Sequence, residues 1–291
     1  MNCTLLGSCC LVNCGSLELV SKRMGEEGMI KIWVNAEVRY RISSGTYAVF
    51  FLAVIAIMTA FAASSYAYEP VEGDASFYDV PSLQDVKKAK DFLRGKFENG
   101  FHVENHLERR DILSRYDHLD PEGVVPRKLF DRAVLYYDQN ISSLENRDYI
   151  TIVDFDMSSK FSRFFVVDVS SGYVRKYHTS HGIGGDADHD GYVEGLGNVP
   201  RSRKSSKGFY YVNEIYFGKY GRSIRLDGLS PTNNNVRSRA IVIHAADYVT
   251  EEDVIQGRSW GCFALSWEVK DEIVDLISGG SLLYAERSSA L

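Results

Sequence analysis

Between residues 82 and 137 apolar side chains recur at helical spacing; after Arg147 the period shortens to that of strands. Ser82 is placed to cap a helix in which Leu83, Val86, Ala89, Lys90 and Leu93 share one face, and Gly95 closes it. A second helix is predicted over 103–116. A third follows Pro126, with Leu129, Phe130, Ala133, Val134 and Tyr137 on one side. Beyond them, 149–155, 163–169 and 173–179 are β-branched or aromatic runs, separated by Ser159-Lys160 and Ser170-Ser171-Gly172 as in a meander. Further strands are predicted at 208–215, 223–226, 240–244 and 281–285, with one late helix over 266–277 closed by Gly279-Gly280. The expected fold is mainly β with α: a β-sandwich or partly closed barrel over 147–291, preceded by a helical prelude over 68–146.

The first 67 residues break this pattern. From Tyr47 to Ala63 the chain runs without a charge, follows Arg39 and Arg41, and leads into Ser65-Tyr66-Ala67. A basic flank, an apolar core and small exit residues predict a secretory signal cleaved after Ala67; the same run, 47–63, is also near the lower length of a retained membrane anchor. The residues before it are too long for an ordinary signal flank, so Met24 or Met29 is read as the start and 1–67 as leader. Export to the periplasm or cell envelope is the expectation, whether the signal is cleaved or kept.

Charge narrows the function classes. The chain has 33 Lys and Arg against 39 Asp and Glu, and the balance stays acidic once the leader is set aside, which argues against non-specific nucleic-acid binding. The stretch 201–239 departs from this, with nine basic residues against Glu214 and Asp227. Such a surface suits a substrate bearing carboxylates, although a solvated face is the default reading of any one arginine there.

After the leader a single cysteine remains, Cys262, in Gly257-Arg258-Ser259-Trp260-Gly261-Cys262-Phe263-Ala264-Leu265. A lone thiol in an exported domain has no internal partner for a disulfide, so it is either packing or reactive. A thiol needs a base, backbone donors or a helix N-terminus to become a nucleophile. His244 ends the apolar strand Ile241-Val242-Ile243, Gly261 lets the backbone approach a substrate, and the helix predicted from Ser266 follows closely.

At these residues the chain resembles the L,D-transpeptidases of bacterial cell walls, the YkuD-like enzymes. The resemblance sharpens to the murein L,D-transpeptidase catalytic domain through Ser205-Ser206-Lys207-Gly208-Phe209-Tyr210, the run 220–229 (YGRSIRLDGL), the run 237–248 (RSRAIVIHAADY) and 257–265, and it covers about 125–286. It implies a YkuD-like fold and a cysteine acyltransferase acting on peptidoglycan stem peptides, with no cofactor. Cys262 would attack the carbonyl between an L-centre and a terminal D-residue, and an amine of a second stem would resolve the thioester. His244 would carry the proton, Ser259 would orient the imidazole, and the N–H groups of Gly261 and Cys262 would hold the oxyanion. Better-known members carry His and Arg where this chain has Trp260 and Ala264. Trp260 is left as an apolar wall, and carboxylate binding falls to Arg258, Arg225, Arg237 or Arg239, with Arg225 and Arg237 the first choices; His181 is a secondary substrate-binding candidate. An L,D-carboxypeptidase, resolved by water, and a silent peptidoglycan-binding module are the alternatives.

One further motif stands outside this chemistry. Asp186-Ala187-Asp188-His189-Asp190-Gly191 opens like a calcium loop, but the twelfth position is Gly197, which lacks the bidentate carboxylate; Glu194 is the substitute at hand. On sequence alone a polar turn without a metal is the preferred account.

Overall fold

The structure is a computed structural model that describes residues 80–97 and 105–291; the predicted leader lies outside the described residues. The described residues belong to one compact unit. Among the described residues no helix is long and apolar enough to cross a membrane.

Among the described residues four α-helices and eight strands carry the fold: α1 (Leu83–Lys96), α2 (His106–Ser114), α3 (Arg127–Asn140), β1 (Tyr149–Asp154), β2 (Phe164–Asp168), β3 (Val174–Tyr177), β4 (Gly208–Gly218), β5 (Gly221–Gly228), β6 (Val242–Ala245), β7 (Phe263–Leu265), α4 (Lys270–Ile277) and β8 (Ser281–Glu286). Ser82 caps α1 as expected, its hydroxyl accepting from Asp85 N, and Asn105 does the same for α2. Gly95 does not stop α1, which runs one residue further.

The strands form one sheet in the order β3-β2-β1-β8-β4-β5-β6-β7. Its two faces bury different side chains. Phe164 and Val166 of β2 join Tyr210, Ile224, Ile243 and Phe263 in a core covered by Ile273, Val274 and Ile277 of α4. Phe165 and Val167 point the other way, with Phe209, Tyr211 and Tyr284, onto Leu129, Phe130, Ala133 and Val134 of α3. Burial on both faces explains why these strands are near-continuous apolar runs rather than alternating ones. Each large apolar side chain so buried contributes about 1.5–3 kcal/mol. The helical prelude therefore shares a core with the sheet.

The sheet nearly closes. Past β3, Ser180 N donates to Ala264 O of β7 (3.0 Å) and Ser259 N donates to His181 O (2.8 Å), so the two edges meet. The result is a partly closed barrel of mainly β structure with a few helices, and the seam at 178–183 and 259–264 is where the candidate residues gather.

Two local expectations are corrected at this seam. Phe263–Leu265 is a strand rather than the approach to a helix, and pairs in parallel with β6. The helix then begins at Lys270 instead of Ser266, after a turn. Eight positions separate Cys262 from the helix, too far for its N-terminus to act on the thiol, because that field fades within the first turn.

Candidate active site

β6 and β7 set the geometry. In their parallel register His244 pairs with Ala264 and Ile243 with Phe263. Ile243 and Phe263 enter the main core, whereas Ala264 packs with Ala246 and Val249 away from it. Alternation therefore puts Cys262, at the mouth of β7, on the same face as His244. Strand spacing and rise separate their Cα atoms by on the order of 8 Å.

Neither group is bonded to the other. Cys262 Sγ donates to Ala240 O at 3.7 Å, and His244 Nδ1 to Ala245 O at 2.8 Å. The second bond fixes the tautomer, leaving Nε2 as the acceptor. Tyr220, in the β4–β5 turn, stacks on the imidazole with ring centroids 4.4 Å apart at 24°. Burial pushes His244 down to about 4, partly offset by the Ala245 carbonyl. Burial also pushes the Cys262 thiol up to about 11, against the opposing effects of Val242's backbone and the Arg239 charge. The resting pair is thus a neutral thiol and a neutral imidazole.

This has a stability consequence. The unfolded chain protonates its histidines near 6.5, while folded His244 resists protonation down to about 4. The stability it contributes is present above pH 6.5 and is lost as pH falls toward 4. The expected result is a Tm that declines across that window in thermal melts, and declines less in His244→Gln. Equal slopes in the two proteins would refute the shift.

The turn that carries the thiol is built by Ser259, Gly261 and their neighbours. Ser259 Oγ donates to Cys262 O (2.8 Å) and accepts from Gly261 N (3.0 Å). Gly261 has φ +121°, and a Cβ there would lie 2.7 Å from Lys204 O, so glycine is required on both counts. Ser205 Oγ donates to Gly261 O (3.2 Å) and accepts from Gly182 N (3.0 Å), pinning the turn to both neighbouring segments. Ala240, whose carbonyl takes the thiol, holds φ +51°, an uncommon conformation for alanine.

Several expected roles change. Ser259 does not orient the imidazole; the Ala245 carbonyl does, and the serine shapes the turn. Gly261 N–H is engaged by Ser259, so it reaches an oxyanion only by leaving that hydroxyl. His181 is fully buried and cannot face a substrate: its Nε2 donates to Asp186 Oδ2 (2.8 Å) while Nδ1 accepts from the buried Arg163 Nη2 (2.6 Å). Burial and the Arg163 charge push its pKa down to about 4, consistent with a neutral ring between the two. Arg258 Nη1 donates to the carbonyls of Asp186 and Ala187, bracing that loop rather than a substrate. Arg237 is buried against Asp227 (2.5 Å) and Glu214 (2.8 Å), which neutralise it.

Arg225 remains at a surface opening. It lies over Tyr216 (4.1 Å), 3.6 Å from Glu214, and lines a cleft of about 360 Å³ together with Arg237 and with Asp85, Lys88 and Phe92 of α1. Cys262 and His244 do not line that cleft. Trp260 is 38% exposed beside the thiol, with Arg203 4.5 Å over its ring. Arg239, grouped above with the weaker candidates, is the cation that acts on the thiol electrostatically; it donates to Lys204 O (2.6 Å) and Ser206 Oγ (2.7 Å). Arg163 and the Ala245 carbonyl were given no role from the sequence, and Tyr220 entered it only as the first residue of the run 220–229, with no contact to His244 expected.

Residues 122–285 match the sequence model of the L,D-transpeptidase catalytic domain. No curated protein resembles the chain closely enough in sequence to be aligned with it. Among solved structures, an L,D-transpeptidase from Mycobacterium smegmatis is similar at 14% identity and a TM-score of 0.31, covering 48% of this chain and 58% of that one. An L,D-transpeptidase from Xylanimonas cellulosilytica is similar at 14% identity and 0.30, covering 47% and 60%. The chain thus spans about three fifths of those relatives. One from Stackebrandtia nassauensis aligns over 69% of this chain and 90% of its own, at 10% identity and 0.29. With the family match extending over more than half of its length, the chain belongs to the YkuD-like L,D-transpeptidase catalytic domain family.

Proposed function

We propose that this protein is an exported cysteine L,D-transpeptidase that cross-links peptidoglycan stem peptides, with Cys262 as nucleophile and His244 as base. The observation that carries this reading is the shared face of β6 and β7, which sets a half-buried thiol diagonally across from an imidazole whose Nδ1 is already committed to Ala245 O.

In this reading the thiol proton passes to His244 Nε2 as sulfur attacks the carbonyl carbon before the terminal D-residue of a tetrapeptide stem. The C–N bond breaks, His244 returns the proton to the departing amine, and a thioester remains on Cys262. An amine of a second stem attacks the thioester, loses its proton to His244, and leaves a new amide with a free thiol. No ATP is consumed, because each amide broken is replaced by one formed. Trp260 offers the apolar wall beside the thiol.

Incubation of the full chain with tetrapeptide muropeptides, with and without an acceptor stem, tests this by mass analysis. Cross-linked dimers and released D-alanine are expected. Tripeptides alone would make it a carboxypeptidase, and unchanged substrate would favour a binding module. A carbapenem is expected to add covalently to Cys262; an active enzyme with no adduct would remove the reachable nucleophile.

A further inference from the structure

We propose that the loop from Asp186 to Glu194 is a divalent-cation site selective for Ca²⁺, a property independent of the transpeptidase reading. Carboxylate oxygens of Asp186, Asp188, Asp190 and Glu194 all lie within 4.8 Å of one another. Four acidic groups so close repel unless a cation sits among them. Lys204 lines the adjoining cleft with Asp188 and Glu194, but among the described residues no Lys or Arg comes within ion-pair distance of Asp188, Asp190 or Glu194.

The second observation is an oxygen without a well-placed donor. Asp186 is fully buried, and its Oδ2 accepts from His181 Nε2 (2.8 Å) and Gly191 N (3.3 Å). Its Oδ1 makes no hydrogen bond of good geometry; the His189 backbone N–H acts on the carboxylate from within the loop, and Arg258 Nη1 pairs with Oδ1 only at 4.0 Å, already committed to two backbone carbonyls. A buried carboxylate oxygen so poorly satisfied is costly, and a metal ion is the partner that the other three carboxylates would share with it.

The loop also has the form that Ca²⁺ uses. Counting Asp186 as the first position, the acids fall at one, three, five and nine, and Gly191 takes the sixth with φ +89°, where such loops need glycine for a sharp turn. The missing twelfth ligand argued against a metal on spacing alone. In space, however, Glu194 joins the other three. An all-oxygen, mostly exposed set of this kind suits Ca²⁺, which accepts six to eight oxygens in flexible geometry, better than Mg²⁺, which demands a tight octahedron. The ion would act on the reactive turn through Asp186 Oδ2, His181 and the His181 O–Ser259 N bond.

The test is a thermal melt of the full chain after treatment with chelator, with Ca²⁺ or Mg²⁺ added back, alongside Tb³⁺ luminescence sensitised by Tyr192 in the loop. At a hundredfold excess over its dissociation constant Ca²⁺ should raise Tm by about 5–10 °C. It should also displace Tb³⁺. The triple variant Asp188→Asn, Asp190→Asn, Glu194→Gln alters only exposed side chains, so it should fold and lose both responses. No shift at about 10 mM Ca²⁺, above the range of weak extracellular sites, would overturn the proposal, as would a triple variant that responds like the parent. Equal stabilisation by Mg²⁺ would overturn the selectivity for Ca²⁺.

Discussion

Cys262→Ala is expected to abolish release of D-alanine from tetrapeptide stems, a loss of at least about 10⁴-fold, while the protein stays folded. The size follows from the chemistry: without sulfur there is no thioester, and water alone must attack an unactivated amide. The fold should survive because the thiol's recorded hydrogen bond is a long one to Ala240 O, and removing one half-buried sulfur costs about 1 kcal/mol or less. Melting curves of the two proteins should nearly superimpose, whereas carbapenem adducts should vanish from the variant. Cys262→Ser sharpens the test. It keeps the shape of the site and offers an oxygen of much higher pKa, which a weak imidazole base activates poorly, so it too should be nearly inactive. Turnover unchanged in Cys262→Ala would end the assignment of the nucleophile.

The strands were legible in the sequence because both faces of the sheet are buried, which makes β1 and β2 dense in β-branched and aromatic residues and leaves β8 a continuous apolar run through Leu282, Leu283, Tyr284 and Ala285. β7 was not. It has three residues, and Phe263-Ala264-Leu265 is equally consistent with the entry to an amphipathic helix; only its pairing with β6 decides the matter. Cys262 and His244 stood out because their residue types are rare or chemically distinct, whereas the groups that support them are ordinary ones placed by tertiary structure. The carbonyl of Ala245 that aligns His244 belongs to every residue, and Tyr220 meets the ring only because β5 runs beside β6. His181 lies in a polar run that suggests exposure; closure of the barrel buries it instead, between Arg163 and Asp186. Arg237 carries the charge that a carboxylate binder needs. Its neutralisation by Asp227 and Glu214 depends on the irregular β4–β5 register between Val212 and Ile215, which no local pattern announces.

His244→Gln is expected to lower kcat/KM by about 10²–10⁴-fold, the usual contribution of a positioned base. In the resting protein a thiol near 11 faces an imidazole near 4, so direct transfer of the proton is steeply uphill. Sulfur must therefore lose its proton as it attacks, when the Arg239 charge favours the anion and the negative charge passes from sulfur to the carbonyl oxygen, where backbone donors can hold it. Glutamine preserves a polar planar group against Tyr220 but offers no basic nitrogen, so it separates proton transfer from packing. If His244 is the base, the variant's residual activity should climb with pH as hydroxide takes over the deprotonation, and alkylation of Cys262 by iodoacetamide should slow in parallel at neutral pH. If the ring served only to pack against Tyr220, the variant would lose stability at pH 7 and keep the parent's pH–rate profile. Removing a group that folding holds neutral should also raise Tm relative to the parent near pH 5. A variant that is slower, steeper in pH and relatively more acid-stable satisfies all three conditions, a combination that a packing defect cannot produce.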